Sequence, residues 1–157
     1  SGAAFSTITN SVKDAYLGVE NRDWLKLYGD RNKKNEETFA KQKKEVYDKA
    51  SKFKSDLKDD QFIGWYKDDW FGIVEVSKQG KGYRIISKSS PRLKGDLIPY
   101  SANSFVAKWD DRSYDADAFF TLNFDENGKA TSAKMKPISD VTDFSFDFED
   151  LDLKKIN

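Results

Sequence analysis

Residues 118–128 read AFFTLNFDENG, and this stretch decides the fold class. Ala118, Phe120, Leu122 and Phe124 alternate with Phe119, Thr121 and Asn123, the period-two pattern of a strand with one buried face. Asp125-Glu126-Asn127-Gly128 then predicts a hairpin, because Asn-Gly tolerates the positive φ that such turns need. Ala133 and Met135 carry the pattern onward. Toward the N terminus it recurs in Phe105-Ala107-Trp109, in Leu97-Ile98, and in Tyr83, Ile85 and Ser87 after the turn Gln79-Gly80-Lys81-Gly82. It recurs again in Trp70, Gly72, Val74 and Val76, and in Phe62, Gly64 and Tyr66. Toward the C terminus it returns in Phe144-Phe146-Phe148 and in Leu151, Leu153 and Ile156. Short strands at turn spacings of about ten residues predict a mainly β chain with an antiparallel barrel of about eight strands. Closure would hide the strand edges and bury the large inward rings together. A packed interior is expected rather than a ligand cavity. Gly64, Tyr66, Gly72, Val74, Val76, Tyr83, Ile85, Phe105, Ala107, Trp109, Phe120, Leu122, Phe124, Phe144, Phe146 and Phe148 are its expected lining.

The first 60 residues read differently. Phe5, Ile8, Val12, Ala15, Tyr16 and Val19 recur at steps of three and four, one face of an amphipathic helix. Gly18 predicts its stop, and Asn21 or Asp23 a cap for the next segment. Trp24, Leu25 and Tyr28 form an expected apolar turn that Gly29-Asp30 interrupts. A second helix is expected from about Asn32 to Leu57, with Phe39, Val46, Tyr47, Ala50 and Phe53 on one side. The organisation read from these patterns is a helical arm or connector over 1–60 and a barrel over 61–157.

Composition excludes several chemistries. The chain of 157 residues has no histidine and no cysteine, which removes His-based triads, thiol nucleophiles and thiolate or imidazole zinc sites. Lys plus Arg and Asp plus Glu both total 27, so no basic surplus points to nucleic acid. No run approaches the length of a membrane span. The sequence gives no reason to expect a cofactor.

Three motifs invite a chemical reading, and each has a plainer one. Ser51-Lys52-Phe53-Lys54 and Ser55-Asp56-Leu57-Lys58 match the Ser-x-x-Lys spacing that sets an amine one helical turn from a nucleophile. No Tyr-x-Asn or Lys-Thr-Gly partner follows, and chance in a Lys-rich helix accounts for both, so no catalytic residue is assigned. Asp110, Asp111, Asp115 and Asp117 crowd one loop, and Asp143, Asp147, Glu149, Asp150 and Asp152 line the last strands. Without calcium-loop spacing they read as solvated acids, and no metal site is assigned. Lys41-Gln42-Lys43-Lys44 reads as a solvated helix face rather than a phosphate patch.

A set of ordered motifs carries a family resemblance. Phe62-x-Gly64-x-Tyr66, Trp70-Phe71-Gly72, Leu93-x-Gly95-x-Leu97, Asn103-Ser104-Phe105, Trp109, Asp117-Ala118-Phe119, Asp125-x-x-Gly128-Lys129 and the run Asp143–Leu151 occur in this order. Together they resemble the small domain of unknown function attached to the C terminus of serine β-lactamase-like, penicillin-binding-protein-like hydrolases. Tyr16-Leu17-Gly18 and Arg22-Asp23-Trp24 resemble the connector that joins such a module to its catalytic domain. The resemblance implies a lipocalin-like (calycin-like) barrel and a noncatalytic accessory role: docking to a catalytic domain, regulating access to it or supporting oligomerisation. It also implies a periplasmic or secreted location. The implied partner is an upstream catalytic domain or a second copy of the chain, and the alternative is a stand-alone barrel that binds an apolar small ligand. Ile98-Pro99-Tyr100-Ser101 departs from the family's usual histidine and aromatic at that point.

A candidate interface arises from the first hairpin. If its turn is Lys67-Asp68-Asp69, Tyr66 faces Trp70, Gly64 faces Gly72 and Phe62 faces Val74. Trp65 then meets Phe71, and Ile63 meets Ile73, on the outer face. Such an apolar cluster facing water would need a cover. Trp24, Leu25 and Tyr28 of the arm are its first expected cover, ahead of the Phe39–Phe53 helix face, a second copy of the chain or a catalytic domain, and the six candidate interface residues are Trp24, Tyr28, Ile63, Trp65, Phe71 and Ile73.

Overall fold

The structure is a computed structural model that describes residues 2–18, 23–113, 115–138 and 151–156. Helix α1 spans Gly2–Leu17, α2 Trp24–Lys52 and α3 Asp59–Phe62. Eight strands follow among the described residues: β1 Gly64–Asp68, β2 Gly72–Gln79, β3 Gly82–Ser87 and β4 Lys94–Pro99, then β5 Ser104–Trp109, β6 Ala118–Phe124, β7 Ala130–Pro137 and β8 Leu153–Lys155. Each strand pairs antiparallel with the next, and β8 returns to β1, closing the barrel. The mainly β fold with a helical arm is as the sequence predicts.

Strand phase also agrees. Tyr66, Val74, Val76, Ile85, Phe105, Ala107, Trp109, Phe120 and Leu122 are buried in one interior cluster, and Tyr83 and Phe124 pack against it. Phe144, Phe146 and Phe148 lie outside the described residues.

The hairpins show how turn chemistry sets register. At the β6–β7 turn only Gly128 takes a positive φ, +73°, so Asn127 is not the left-handed residue that the Asn-Gly pair predicts. Asp125 folds this loop by accepting hydrogen bonds from the Asn127 and Lys129 amides. At the first hairpin Tyr66 pairs with Val74, Trp65 with Glu75 and Lys67 with Ile73. The expected register is therefore displaced by four residues. Parity is kept, so the inward face is unchanged. Asp68 Oδ1 accepts from the amides of Trp70 and Phe71, both at 2.8 Å, and Gly72 follows at φ +87°. The loop is Asp69-Trp70-Phe71, and Trp70, expected in the strand, is exposed at its tip.

The helices differ from expectation in their breaks. Gly18 stops α1 at φ +64°. Asp23 caps α2, accepting from the Lys26 amide at 3.0 Å. Helix α2 runs through Gly29, since one helical glycine costs only about 1 kcal/mol. It ends at Lys52 rather than Leu57, and the Ser55 hydroxyl beyond it accepts from the Leu57 amide, an alternative to the helical bond.

The chain forms two compact units, Ser1–Gln42 and Lys43–Asn157, with the seam inside α2. The composition change at 60/61 falls within the second unit.

Candidate interaction site

Phe62 reaches the barrel interior from α3 rather than from a strand. It is fully buried, with ring centroids 4.9 Å from both Tyr83 and Phe105. The Tyr66 hydroxyl donates to its carbonyl at 2.6 Å. Burial pushes the Tyr66 phenol up from its usual value. The three residues before Phe62 clamp α3 to the rim. Asp59 accepts from the Tyr83 hydroxyl at 2.8 Å and pairs with Lys78, both on the β2–β3 hairpin. Asp60 pairs with Lys129 at 2.5 Å, and Gln61 donates to the Gly128 carbonyl at 2.9 Å, both on the β6–β7 hairpin. Hydrogen bonds from Lys78 and Tyr83 hold the Asp59 carboxyl below the usual range, and Lys129 does the same for Asp60. One mouth of the barrel thus carries a helical plug.

The tail of α2, from Lys43, lies against the outer wall. Lys49 stands 4.3 Å from the Tyr100 ring centroid, and the Tyr100 ring in turn packs at a tilt against Phe119, centroids 5.0 Å apart. Val106 alternates outward from β5 yet is fully buried, as is Ala50 on the helix, and both stand apart from the interior cluster. The tail is anchored at the opposite mouth by Asp117, whose side chain is 1% exposed. Arg112 grips both its oxygens, at 2.7 and 2.8 Å, and the Tyr47 hydroxyl donates to Oδ2 at 2.5 Å. Lys43 lies 3.5 Å from Oδ2 and pairs also with Asp115. The Trp109 amide completes the set at 3.2 Å. Burial alone would raise the Asp117 carboxyl, but Arg112, Tyr47 and Lys43 outweigh it and hold it below the ordinary range. Burial, reinforced by the same hydrogen bond, pushes the Tyr47 phenol up.

Two expectations change here. Asp117 is not a solvated turn acid, and Lys43 is not simply a solvated helix lysine. Their mutual recognition spans more than 70 positions of sequence, and neither carries a local signal. Asp110 and Asp111 also have partners: Arg84 grips Asp110 at 2.5 and 2.8 Å, and Arg92 meets Asp111 at 3.0 Å. Among the described residues no cluster of acids is arranged to hold a metal ion. Asp143, Asp147, Glu149 and Asp150 lie outside the described residues.

The candidate interface residues are distributed differently from expectation. Trp24 and Tyr28 stack at 6.0 Å in the first unit, where Trp24 donates to Asp14 at 2.6 Å and Tyr28 accepts from Asn10 at 2.8 Å. The four barrel residues do not form an outward cross-strand cluster, because the register shift separates them. Phe71 sits in the turn and Ile63 just before β1, and both pack against the interior cluster. Trp65 faces Glu75, with Lys88 5.7 Å from its ring centroid, and Ile73 faces Lys67. The first Ser-x-x-Lys match, read from the sequence as chance, straddles the end of α2. Ser51 donates to the Asp48 carbonyl at the end of α2, and Lys54 lies beyond that helix.

The unit that begins in the α2 tail coincides with a sequence family. A family described as a domain of unknown function, DUF3471, matches residues 48–155, from the helix tail through β8. The chain belongs to the DUF3471 family. No curated protein and no solved structure matches it. The family segment contains the plug, the complete barrel, Asp117 and Arg112, while Lys43 and Tyr47 lie just before it. Among the described residues, no helix is long and apolar enough to cross a membrane.

Proposed function

We propose that this DUF3471 chain is a noncatalytic accessory module of a serine β-lactamase-like hydrolase, acting by docking to a catalytic domain or shaping access to it. The observation that carries this reading is the use of the barrel's interior. Among the described residues Phe62, Tyr66, Phe105, Trp109 and Phe120 pack together in it and α3 lies at one mouth, which supports a solid body over a cup for a guest. That packing disfavours the lipocalin-like carrier alternative. The ordered motifs resembling hydrolase-attached modules supply the class of partner and an exported location, periplasmic or secreted.

The test uses the purified chain, alone and joined to a serine β-lactamase-like catalytic domain. The chain alone should leave a chromogenic β-lactam and a nitrophenyl ester unhydrolysed above background. The joined protein should differ from the bare catalytic domain in KM or in assembly state. Turnover by the chain alone that disappears in Ser51→Ala or Ser55→Ala would overturn the noncatalytic reading. An identical KM and assembly state with and without the module would overturn the accessory one.

A further inference from the structure

Where two charged side chains lie opposite each other in the barrel, their signs differ, with one exception. Arg84 and Lys108 each face Asp96. At the seam that closes the barrel, Lys67 of β1 instead faces Lys154 of β8. No other described strand pair sets like charges opposite. Both lysines point outward, because Tyr66 and Leu153 beside them are fully buried. Side chains directly opposite start about 5 Å apart, close enough for like charges to destabilise the pair. The strand concerned is the shortest described, three residues, so little else holds it. Lys155, on its inward side, is half-buried, and burial with the neighbouring Lys129 charge pushes its amine down. The closing strand therefore meets like charge on both faces.

We propose that Lys67 and Lys154, with Lys134 of β7, form a seat for a doubly charged oxyanion, a phosphate group free or esterified, whose binding holds the β1–β8 seam closed. The nearby acids do not fill this role. Asp152 stands 3.7 Å from Lys154, with the two side chains 61% and 74% exposed and so well screened. The Asp68 carboxylate, next to Lys67, is occupied by the amides of Trp70, Phe71 and Asp152. Lys134 is exposed and diagonal to Lys154, because Ser132, two residues before it, is the residue facing Lys154. The Ser132 hydroxyl accepts from Asn123 at 3.0 Å and keeps its own proton to donate. Three ammonium groups and a hydroxyl suit an acceptor-only dianion, through charge-assisted hydrogen bonds. The donors come from three adjacent strands, about 10 Å across, which fits one phosphate group rather than a polyanion track. Bound there, the anion turns the repulsion across the seam into shared attraction. It therefore favours the closed barrel over one whose β8 has lifted away, and that difference in affinity shifts the equilibrium. A pairing rule broken once in a matched wall is where function is expected. The inference stands whether or not the barrel serves a hydrolase.

The test is hydrogen exchange on the full chain. The Asp152 and Ile156 amides are the reporters, since they bond Asp68 and the Trp65 carbonyl across the seam. In chloride buffer they should be at least about tenfold less protected than the ladder amides of β2. Inorganic phosphate at about ten times its dissociation constant should raise their protection roughly tenfold, and chloride at the same ionic strength far less. Glycerol phosphate in parallel separates the sources. An equal or larger effect assigns the seat to a phosphate ester, a smaller one to the free ion, and either supports the seat. Lys154→Gln should abolish the phosphate effect. Lys154→Glu gives Lys67 an opposite charge to face, so it should protect the seam without phosphate and leave it insensitive to phosphate. Equal protection by chloride and phosphate overturns the proposal, as does a phosphate effect that survives both substitutions. So do seam amides as protected as those of β2 in chloride alone, which would mean that the chain's own carboxylates already neutralise the pair.

Discussion

Two residues show how local chemistry becomes fold. Leu93, Gly95 and Leu97 share the inward face at β4, and Gly95 sits opposite Trp109. A methyl group at Gly95 would lie 2.0 Å from the Lys108 carbonyl oxygen, a backbone atom held by the ladder that cannot turn aside. Gly95→Ala should therefore destabilise the barrel by about 3 kcal/mol or more, read from urea unfolding. Asp117 makes a different demand. Its lowered folded pKa means that its contribution is complete above the unfolded value of ~3.9 and is lost as pH falls through the folded value. Asp117→Asn breaks a nearly buried pair and should cost on the order of 3 kcal/mol at neutral pH. The melting-temperature gap between parent and variant should then narrow below about pH 4. A gap that stays constant from pH 7 to pH 3 would show that the charge is not what matters.

The elements divide by how their information is written. Strand phase was legible because alternation alone sets which side chains face inward, as Phe120 and Leu122 illustrate. Hairpin register was not, because Trp70 and Phe71 look like strand residues, whereas the Asp68 carboxylate and the positive φ at Gly72 make them a loop. Asp68 also accepts from the Asp152 amide at 2.9 Å, so the same side chain ties the first turn to the entry of β8. The plug was illegible for a simpler reason: four residues carry no helical period. In the sequence Phe62 continues the strand alternation of Gly64 and Tyr66, whereas in the structure it ends α3 and enters the core from there. Phe62→Ala should cost ~3–5 kcal/mol in equilibrium unfolding, the usual range for emptying a buried aromatic site. The site around Asp117 escaped detection because its helical partner, Tyr47, is 70 residues away. Tyr47→Phe should cost about 1 kcal/mol, and a double-mutant cycle with Asp117→Asn should show coupling rather than additivity.

At the scale of the molecule, the barrel's sequence boundary and its packing boundary differ. The β pattern starts near residue 60, but the compact unit starts at Lys43 and takes the α2 tail with it. That tail brings Lys43 and Tyr47 to Asp117, Lys49 to Tyr100, and a buried Ala50 alongside a wall where Val106 is fully covered. Two truncations separate these boundaries. Removing residues 1–42 leaves every one of these contacts in place, so residues 43–157 should melt within a few degrees of the full chain. Removing residues 1–57 takes Lys49 from Tyr100 and leaves Asp117 without its tyrosine and lysine. A loss of even 2–3 kcal/mol in a domain of this size lowers the melting temperature by roughly 10 °C or more. The shorter chain should also bind a hydrophobic dye through the exposed Tyr100–Phe119 surface, rather than through Trp65 and Phe71. Restoring only residues 43–57 should abolish both effects. Equal stability and equal dye binding for the two truncations would show that the helix tail rests on the barrel without supporting it.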